Sequence, residues 1–569
     1  MHDGERCDNS TPVMDPSMPS AAVPGAVGSS VGTSGASRRA SRWRTRLEGW
    51  GAAVLAAAFV IGSMPTTELA PLAFVGLAPV LVAMRTRSRW QRLRLGWLAG
   101  LLVELALFRW IPFTMTEMTS LGGPVTLAML AAYAAWHGLR FGVFLALAEP
   151  VRRGVVARRP SLGALAVGLT WVAVDWAWPV IFPWALGHAV WELPGAGELL
   201  ALQGVPLLSW VVVTIAASLA ELWVGRRDRR ALRRTAVALV AFLAATLGPA
   251  ALLAPGEAAP SVRVAIVQPN YTLAEKKHAT AERRRQLLDR FEAQLRAIPA
   301  DTFDLVIASE GSFPMWWRLD ADDPAALPKN PQLDATRRVQ RAIAEGPRTP
   351  AILGGLRQDE RGRMRNSAVF IGADGRVSGH YDKQALVPFS EYAPLADVFP
   401  ALGEIKGIGK LQPGDAPCRF DVPVAGRTPL RVTCGICYES LFAAATRRDA
   451  ADAELLVNLT IDTWFGDSTA PRMHLMTQAS RAAELGVPLA RSALTGISAH
   501  VDVHGRLVAD LPRDAPGVLS ATLALADGGT VYRAIGQWLA PLACVLVLVL
   551  SAARLIVIRR ARGAMRGRA

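Results

Sequence analysis

The sequence predicts a hybrid fold class, in which a multi-pass α-helical membrane bundle of eight helices is joined to an α/β domain. Apolar residues make up 51% of the 569 residues, which is more than a soluble enzyme usually carries. A chain of this length also exceeds what one hydrophobic core can organise. A polar stretch at 255–531 separates the last apolar segment from the others, and it is the expected aqueous domain.

Eight apolar stretches are long enough to cross a bilayer. They lie at about 47–64, 66–84, 93–112, 121–149, 161–180, 199–224, 234–254 and 533–558. The first two are short and are separated by Pro65, so a hairpin that only partly inserts is an alternative for that pair.

These stretches divide the chain into four parts. Residues 1–46 form a tail rich in Ser, Gly, Pro and Ala that should be disordered and that ends in a basic cluster. Residues 47–254 form helices one to seven, 255–531 the α/β domain, and 532–569 the eighth helix with a basic tail.

Arginine is concentrated in alternate connections, at 38–46, 85–94, 152–159, 226–234 and 559–568. The connections at 114–124 and 182–198 contain almost none. Because short cytoplasmic loops collect basic residues, both termini are predicted to be cytoplasmic and the polar domain extracytoplasmic. In a bacterium, the protein would lie in the cytoplasmic (inner) membrane with this domain on the periplasmic side. The net charge of +15 therefore reflects topology, and no nucleic-acid partner is expected.

The five cysteines show no repeated pair flanked by histidines, so neither a structural metal nor a disulfide framework is indicated. Cys434 and Cys437 form one CxxC, for which a redox or metal half-site is the alternative to a role in catalysis. The dispersed histidines, including His474, are interpreted as surface or satisfied core residues. No metal or other cofactor is expected.

Apolar runs and amphipathic segments alternate through the polar region, as in an α/β domain with helices outside packed sheets. Strands are predicted at 262–270, 304–309, 351–356, 367–371, 430–434, 455–459 and 496–503, and helices at 282–298 and 471–486.

Three chemically distinct side chains follow elements of this domain. Glu310 comes directly after a predicted strand, Lys383 after a turn, and Cys437 after a strand that breaks at Gly435. A carboxylate can serve as the base for a thiol, and an ammonium can stabilise an oxyanion. Cys434 competes with Cys437 for the role of nucleophile, but only Cys437 precedes a Tyr-Glu pair.

The strings around these residues resemble the nitrilase (carbon-nitrogen hydrolase) superfamily, and most closely its apolipoprotein N-acyltransferase branch. They are IASEGSFP at 307–314, YDKQALVPFSEYAP at 381–394 and GICYE at 435–439. Further similarity lies at 458–471 and 491–498, and in the membrane part at 171–176 and 182–187. The resemblance implies an αββα sandwich between the last two helices of an eight-helix bundle.

The same resemblance implies Glu310 as general base, Lys383 as oxyanion stabiliser, Cys437 as nucleophile and Glu391 as a supporting acid. We expect Tyr438, Glu439, Trp464 and Phe389 to bind substrate. Trp316 is expected to dip into the membrane as part of a cover over the pocket, with core packing as its alternative. Residues 398–411 are a second candidate cover. Ser390 and Leu494 depart from the family pattern, which bears on pocket detail more than on reaction class.

The implied reaction is a two-step acyl transfer. The thiolate takes an acyl chain from a membrane phospholipid, and the amino group of the diacylglyceryl-modified N-terminal cysteine of an apolipoprotein accepts it. Two alternatives are a membrane-anchored nitrilase or amidase whose acceptor is water, and a transporter or scaffold with a degenerate outer domain.

Overall fold

The computed structural model describes residues 33–253, 260–277, 279–322, 330–526 and 529–566. Most of the predicted tail, residues 1–32, lies outside these ranges. The first helix begins at Thr33, so residues 33–46 are helical although the sequence analysis assigned them to the tail. This segment contains no proline and is rich in arginine, a good helix former, so nothing in it stops the helix. The described residues from Gly49 onward form one compact unit.

Ten helices precede the α/β domain in the described part of the chain. They are α1 (Thr33–Gly62), α2 (Ala73–Gly76), α3 (Ala78–Ala83), α4 (Arg89–Leu107), α5 (Trp110–Met118), α6 (Gly123–Val156), α7 (Gly163–Ala177), α8 (Ala196–Gln203), α9 (Val205–Val224) and α10 (Arg229–Leu252).

Four helices of the described residues are long and apolar enough to cross a membrane: Gly123–Val156, Pro160–Ala177, Val205–Val224 and Arg229–Leu252. Helices α4 and α5 meet at a bend of 47° and make a fifth if they count as one span. Three shorter apolar helices occupy Leu47–Gly62, Ala70–Thr86 and Leu539–Arg554. Each predicted apolar stretch therefore coincides with an apolar helix, but only four or five of these helices meet the length and composition of a full span.

Helices α4 and α6 pack closely through two pairs of glycines, Gly96 with Gly100 and Gly138 with Gly142. A Cβ on Gly96 would lie 2.3 Å from the carbonyl oxygen of Phe141, and one on Gly138 would lie 2.5 Å from the backbone nitrogen of Leu101. Small residues spaced four apart let two helix backbones approach in an apolar setting. This pair forms the wall of the bundle beside the functional site.

The α/β domain follows α10 and contains twelve strands in the described residues. Its elements are β1 (Ser261–Gln268), α11 (Leu273–Lys277), α12 (Ala281–Arg296), β2 (Leu305–Trp317), α13 (Pro331–Glu345), β3 (Ala351–Gln358), β4 (Met364–Ile371), β5 (Val377–Asp382), α14 (Pro400–Gly403), β6 (Phe420–Val422), β7 (Leu430–Ile436), α15 (Ala443–Asp449), β8 (Leu455–Thr460), α16 (Ala470–Leu485), β9 (Leu489–Ala493), β10 (Ala499–Val501), β11 (Leu507–Asp510) and β12 (Gly517–Ala524).

The strands form two six-stranded sheets, in the orders β12-β1-β2-β3-β4-β5 and β11-β10-β9-β8-β7-β6. Strands β1, β2 and β3 are parallel, as are β7, β8 and β9. An apolar core between the sheets includes Val264, Ile307, Ile436 and Val457. Helices α12 and α13 cover the outer face of the first sheet, and α16 lies between the second sheet and the bundle. The result is the predicted α-β-β-α layering.

The chain returns to the bundle after β12 through α17 (Val531–Ile535) and α18 (Leu539–Arg566). Ala540, Ala543 and Val547 of α18 pack on Val172 and Ala173 of α7. The α/β domain is thus inserted between two helices of one bundle.

Candidate active site

Glu310 lies where the pairing of β2 with β3 becomes irregular. Ala308 pairs with Leu353, and the next pair is Phe313 with Gly355. Instead of ending before Glu310, as predicted, the strand continues to Trp317. A Cβ on Gly354 would lie 2.7 Å from the Cα of Glu310, so only glycine permits this approach of the two strands. The irregularity places the buried Glu310 carboxylate within the first sheet, where the regular pairing of β2 with β3 stops.

Lys383 follows β5 directly and is almost completely buried. Its ammonium lies 2.9 Å from Glu391 Oε2 and 3.5 Å from Glu310 Oε1. Burial disfavours the charge, but the carboxylates of Glu391 and Glu310 outweigh it and raise the pKa of Lys383 above its ordinary value. The side chain is therefore a fixed cation between two anions.

Cys437 is the first residue after β7 and has a positive φ of 52°. A residue other than glycine in this region costs about 1–3 kcal/mol, and such strain is typical of a nucleophile held on a strand-to-helix turn. Burial, followed by the charge of Glu310, raises the pKa of the Cys437 thiol to about 12, although Lys383 opposes the effect. The thiol at rest is neutral.

Asn366 of β4 joins the two carboxylates. Its amide Nδ2 donates to Glu310 Oε1 at 2.6 Å and to Glu391 Oε1 at 2.9 Å. The backbone carbonyl oxygen of Asn366 accepts a hydrogen bond from the backbone N–H of Lys383 at 2.8 Å. Asn366 was not among the predicted site residues, because a single asparagine in a strand carries no motif.

Glu439 accepts hydrogen bonds from the backbone N–H groups of Ile436 (2.8 Å), Gln384 (2.7 Å) and Ala385 (3.1 Å), and from the hydroxyl of Tyr381 (2.7 Å). Burial raises its pKa, although these donors oppose the rise. The carboxylate thus ties the turn that carries Cys437 to the chain that carries Lys383.

A buried polar network supports the same turn from below. His474 Nε2 lies 3.3 Å from the carbonyl oxygen of Cys437, and His474 Nδ1 lies 3.1 Å from Asp462 Oδ1. Arg491 Nη2 donates to Asp462 Oδ2 at 2.8 Å. Burial alone would raise the pKa of Asp462, but Arg491 and His474 hold it at about 2. His474 is thus a satisfied core residue, which is one of its predicted alternatives, and it contacts the turn that carries Cys437.

These groups open onto a mostly apolar cavity of about 740 Å³. The α/β domain contributes Glu310, Lys383 and Cys437 to its lining, and the bundle contributes aromatic side chains. The latter are Phe108, Trp110, Tyr133, Trp136, Phe182 and Trp184.

Aromatic contacts join the two parts at the cavity wall. The rings of Phe182 and Tyr438 lie 5.7 Å apart, and those of Trp110 and Phe465 lie 4.9 Å apart. The hydroxyl of Tyr438 donates to the backbone carbonyl of Ile181, and that of Thr114 donates to the carbonyl of Trp464 at 2.6 Å.

A buried ion cluster lies behind this wall. Arg140 of α6 bridges Glu104 of α4 at 2.9 Å and Asp175 of α7 at 2.8 Å. The indole of Trp184 lies over the Arg140 guanidinium at 4.6 Å. The sparse charges that the sequence shows at Glu104 and Asp175 are thus paired, and they orient an aromatic side chain of the cavity.

Most of the predicted site residues meet in this cavity. Glu310, Lys383, Cys437, Glu391, Tyr438, Trp464 and Phe389 all line it. Among the described residues, Glu439 and Trp316 lie outside the lining. Glu439 faces the backbone donors described above, and Trp316 remains in β2 opposite Leu356 with 40% of its surface exposed.

The two ends of the second predicted cover, 398–411, lie in different surroundings. Val398 and Phe399 are exposed, whereas Gly409 and Leu411 line the cavity. Within the described ranges, no group of three or more His, Cys, Asp or Glu side chains is arranged to hold a metal ion.

Comparisons with known proteins place this architecture in a class. A family described as carbon-nitrogen hydrolase matches residues 263–533, and the apolipoprotein N-acyltransferase N-terminal domain matches residues 55–218. Among solved structures, an amidase from Nesterenkonia is similar at 19% identity and a TM-score of 0.33, covering 46% of this chain and 90% of its own. A carbon-nitrogen hydrolase from Helicobacter pylori is similar at 15% identity and a TM-score of 0.33, with coverage of 46% and 89%.

Similarity to apolipoprotein N-acyltransferases extends over both parts of the chain. The enzyme of that name from Gloeobacter violaceus is 30% identical over 510 residues, covering 85% of this chain and 90% of the relative. Those from Geobacter metallireducens and Sinorhizobium medicae are 28% and 32% identical, covering 85% and 67% of this chain and 91% and 71% of the relatives. The chain belongs to the apolipoprotein N-acyltransferase family. Its apolar helices are those expected of a membrane protein in this family.

Proposed function

We propose that the protein transfers an acyl chain from a membrane phospholipid to the N-terminal amino group of S-diacylglyceryl-cysteine in apolipoproteins. The observation that carries this proposal is the position of Cys437, which opens onto a large apolar cavity walled by the bundle on one side and by the α/β domain on the other. Holding lipid chains in such a cavity avoids their transfer into water, which would cost about 0.8 kcal/mol per CH₂. The family assignment supports the same activity.

In the first half-reaction, Cys437 Sγ attacks the ester carbonyl of the phospholipid, and Glu310 takes the thiol proton. Lys383 stabilises the oxyanion that forms on the carbonyl oxygen. The ester C–O bond then breaks, Glu310 returns the proton to the departing alkoxide, and a lysophospholipid leaves. The chain remains as a thioester on Cys437.

In the second half-reaction, the neutral α-amine of the apolipoprotein attacks the thioester. Glu310 takes a proton from the attacking nitrogen and returns it to the sulfur as the C–S bond breaks. The products are an amide and the free thiol, so no external oxidant or cofactor is required. In this scheme, Glu391 and Asn366 hold Lys383 and Glu310 in place.

The alternative acceptor is water, as in an amidase. The apolar lining disfavours water near the thioester, because it offers few hydrogen-bond partners to an ordered water molecule. The similarity to an apolipoprotein N-acyltransferase over 85% of the chain also favours the acyltransferase over a soluble hydrolase.

The test is intact-mass analysis of the purified full-length protein after incubation with phospholipid, followed by addition of a diacylated lipopeptide. The wild-type protein should gain one acyl chain, mapped to Cys437, and should lose it to the peptide as an amide. Cys437→Ser should give neither product, whereas the matched control Cys434→Ser should give both. Release of free fatty acid with no acylated peptide would instead identify a hydrolase.

We also propose an eight-span topology, with the bundle at 47–254 and 532–569, the domain at 255–531 outside, and both termini in the cytoplasm. The basic connections gather at one end of the bundle, which supports this proposal. Arg85 lies 2.7 Å from Glu221 near the C-terminal end of α9, and Arg152 lies 3.4 Å from the same carboxylate. At the opposite end of α9, the N–H of Val205 donates to Glu484 of the α/β domain at 3.1 Å.

Labelling of intact spheroplasts tests the orientation. A membrane-impermeant thiol reagent should reach a cysteine introduced at exposed Arg376 in a Cys437→Ser background without lysis, and one at exposed Arg229 only after lysis. The reverse pattern would place the α/β domain in the cytoplasm and would exclude the proposed topology.

A further inference from the structure

A second lysine, Lys276 of α11, lines the cavity beside the site. Its ammonium nitrogen lies 3.4 Å from the carbonyl oxygen of Gly311, the residue after Glu310. A Cβ on Gly311 would lie only 2.4 Å from this nitrogen, and Gly311 has a positive φ of 66°. Glycine therefore suits this turn, and a Cβ there would push the Lys276 ammonium from its position.

The short helix that carries Lys276 is held in place on both sides. Upstream, the hydroxyl of Tyr271 donates to the carbonyl oxygen of Ser312 at 2.9 Å. Within the helix, Glu275 pairs with Arg290 of α12 at 2.6 Å and accepts from the N–H of Thr272 at 2.9 Å. The lysine thus projects from a fixed support, which reduces the entropy lost when it binds a ligand.

The charges around the two cavity lysines differ. Lys383 has two carboxylates within 3.5 Å, so its charge is already balanced. Lys276 has no carboxylate within 4.0 Å among the described residues. Burial lowers the pKa of Lys276 to about 8, and the charge of Glu310 opposes this only in part. Near neutral pH the Lys276 ammonium is therefore mostly protonated, and no carboxylate of the described residues is in direct contact with it.

We propose that Lys276 binds the phosphodiester of the glycerophospholipid acyl donor. The inference rests on the donor half-reaction proposed above and adds a subsite to it. A phosphodiester is a monoanion a few bonds from the ester that Cys437 attacks, and an ammonium is a suitable partner for its oxygens. Binding there would direct the ester toward Cys437 and would leave Lys383 free to stabilise the oxyanion.

This assignment separates the two halves of the reaction. The phosphodiester leaves with the lysophospholipid, and the diacylglyceryl group of the acceptor has no phosphate. Lys276 is therefore needed for acylation of Cys437 by phospholipid but not for transfer of the chain from Cys437 to the amine. A structural role, or an effect on Glu310 alone, would slow both halves.

The experiment compares two acyl donors on full-length Lys276→Gln, namely vesicles of phosphatidylethanolamine and the neutral ester p-nitrophenyl palmitate. Acylation of Cys437 from the phospholipid is expected to fall about ten- to a hundredfold, the loss typical of one charged hydrogen bond. Acylation from the neutral ester, and transfer from preformed acyl-enzyme to a diacylated lipopeptide, should change less than about twofold. Lys276→Arg should recover part of the phospholipid rate, because it keeps the charge.

Arg361→Gln, which removes an exposed cation of the same domain, is the matched control and should retain both rates. Equal losses with both donors, or an unchanged rate with phospholipid, would overturn the proposal. If the wild-type protein is not acylated by either donor, the proposed function itself fails, and this outcome is distinct from a failure of the subsite.

Discussion

Replacing Glu310 with glutamine should change thiol alkylation and acyl transfer in opposite directions. The Cys437 thiol has a pKa near 12, so about one molecule in ten thousand carries a thiolate at pH 8. The charge of Glu310 is one cause of this value, after burial, whereas Lys383 favours the thiolate. Glutamine removes the anion and keeps an oxygen that can accept from Asn366.

The size of the effect follows from the electrostatics. One pKa unit corresponds to about 1.4 kcal/mol, which is within the range for two charges a few ångströms apart at an effective dielectric constant of about 20. We therefore expect the Cys437 pKa to fall by about one unit in Glu310→Gln and alkylation at pH 8 to become about tenfold faster. Acylation by phospholipid should fall about 10²- to 10⁴-fold, because the variant has no base to carry the proton to the leaving group.

Iodoacetamide labelling of the full-length protein, mapped to the peptide containing Cys437 and followed from pH 7 to 10, measures the first effect. In the wild-type protein the rate should rise with pH without a plateau, since the thiol titrates above this range. Intact mass after addition of phospholipid measures the second effect. If the variant loses alkylation and acylation in parallel, Glu310 stabilises a preformed thiolate, and the argument from a neutral resting thiol is refuted.

Three further substitutions test other parts of the structure. Asn366→Leu removes the hydrogen-bond donor shared by Glu310 and Glu391, so acylation of Cys437 should fall about tenfold or more. Thermal unfolding should show that the variant is still folded. A wild-type acylation rate would show that Asn366 has no role in the site. Lys383→Arg keeps the charge, but a larger, planar guanidinium cannot occupy the buried position of the compact ammonium, so acyl-enzyme formation should fail in the mass assay. Near-normal acylation would contradict the role of Lys383. Arg140→Leu leaves Glu104 and Asp175 unpaired inside the bundle and should lower the free energy of unfolding by about 3–5 kcal/mol. The measurement is the midpoint of unfolding in detergent, which should fall. An unchanged midpoint would show that the ion cluster is not required for stability.

The sequence predicted those strands and helices whose own residues show a clear apolar pattern. The run at 262–270 matches β1, and the helix at 471–486 matches α16 within a residue or two. Strand β12 was missed because Gly517–Ala524 is an edge strand with an alternating, half-exposed pattern and no long apolar run. Predicted strand 496–503 is reduced to Ala499–Val501, because the residues on either side form turns.

Site residues that lie in sequence motifs could be predicted. Site residues that only the folding of the chain brings to the cavity could not. Glu310, Lys383 and Cys437 lie in recognisable strings, and the structure brings them to one cavity. Asn366 and Lys276 belong to no such string. Asn366 reaches the site because β4 lies beside β5, and Lys276 reaches it because Tyr271 fixes the start of α11. Contacts between distant parts of the chain cannot be inferred from spacing along it.

The insertion of the α/β domain between α10 and α17 has a consequence for how the acceptor is chosen. The proposed base, oxyanion stabiliser and nucleophile all come from the inserted domain, but many aromatic side chains of their cavity come from the bundle. The choice between an amine and water is therefore not encoded in the three reactive groups. If the domain were fused to an unrelated membrane anchor, it would keep its three reactive groups but lose the aromatic wall. Its thioester would then be hydrolysed by water. The choice of acceptor therefore depends on the cavity wall at the junction between the bundle and the α/β domain.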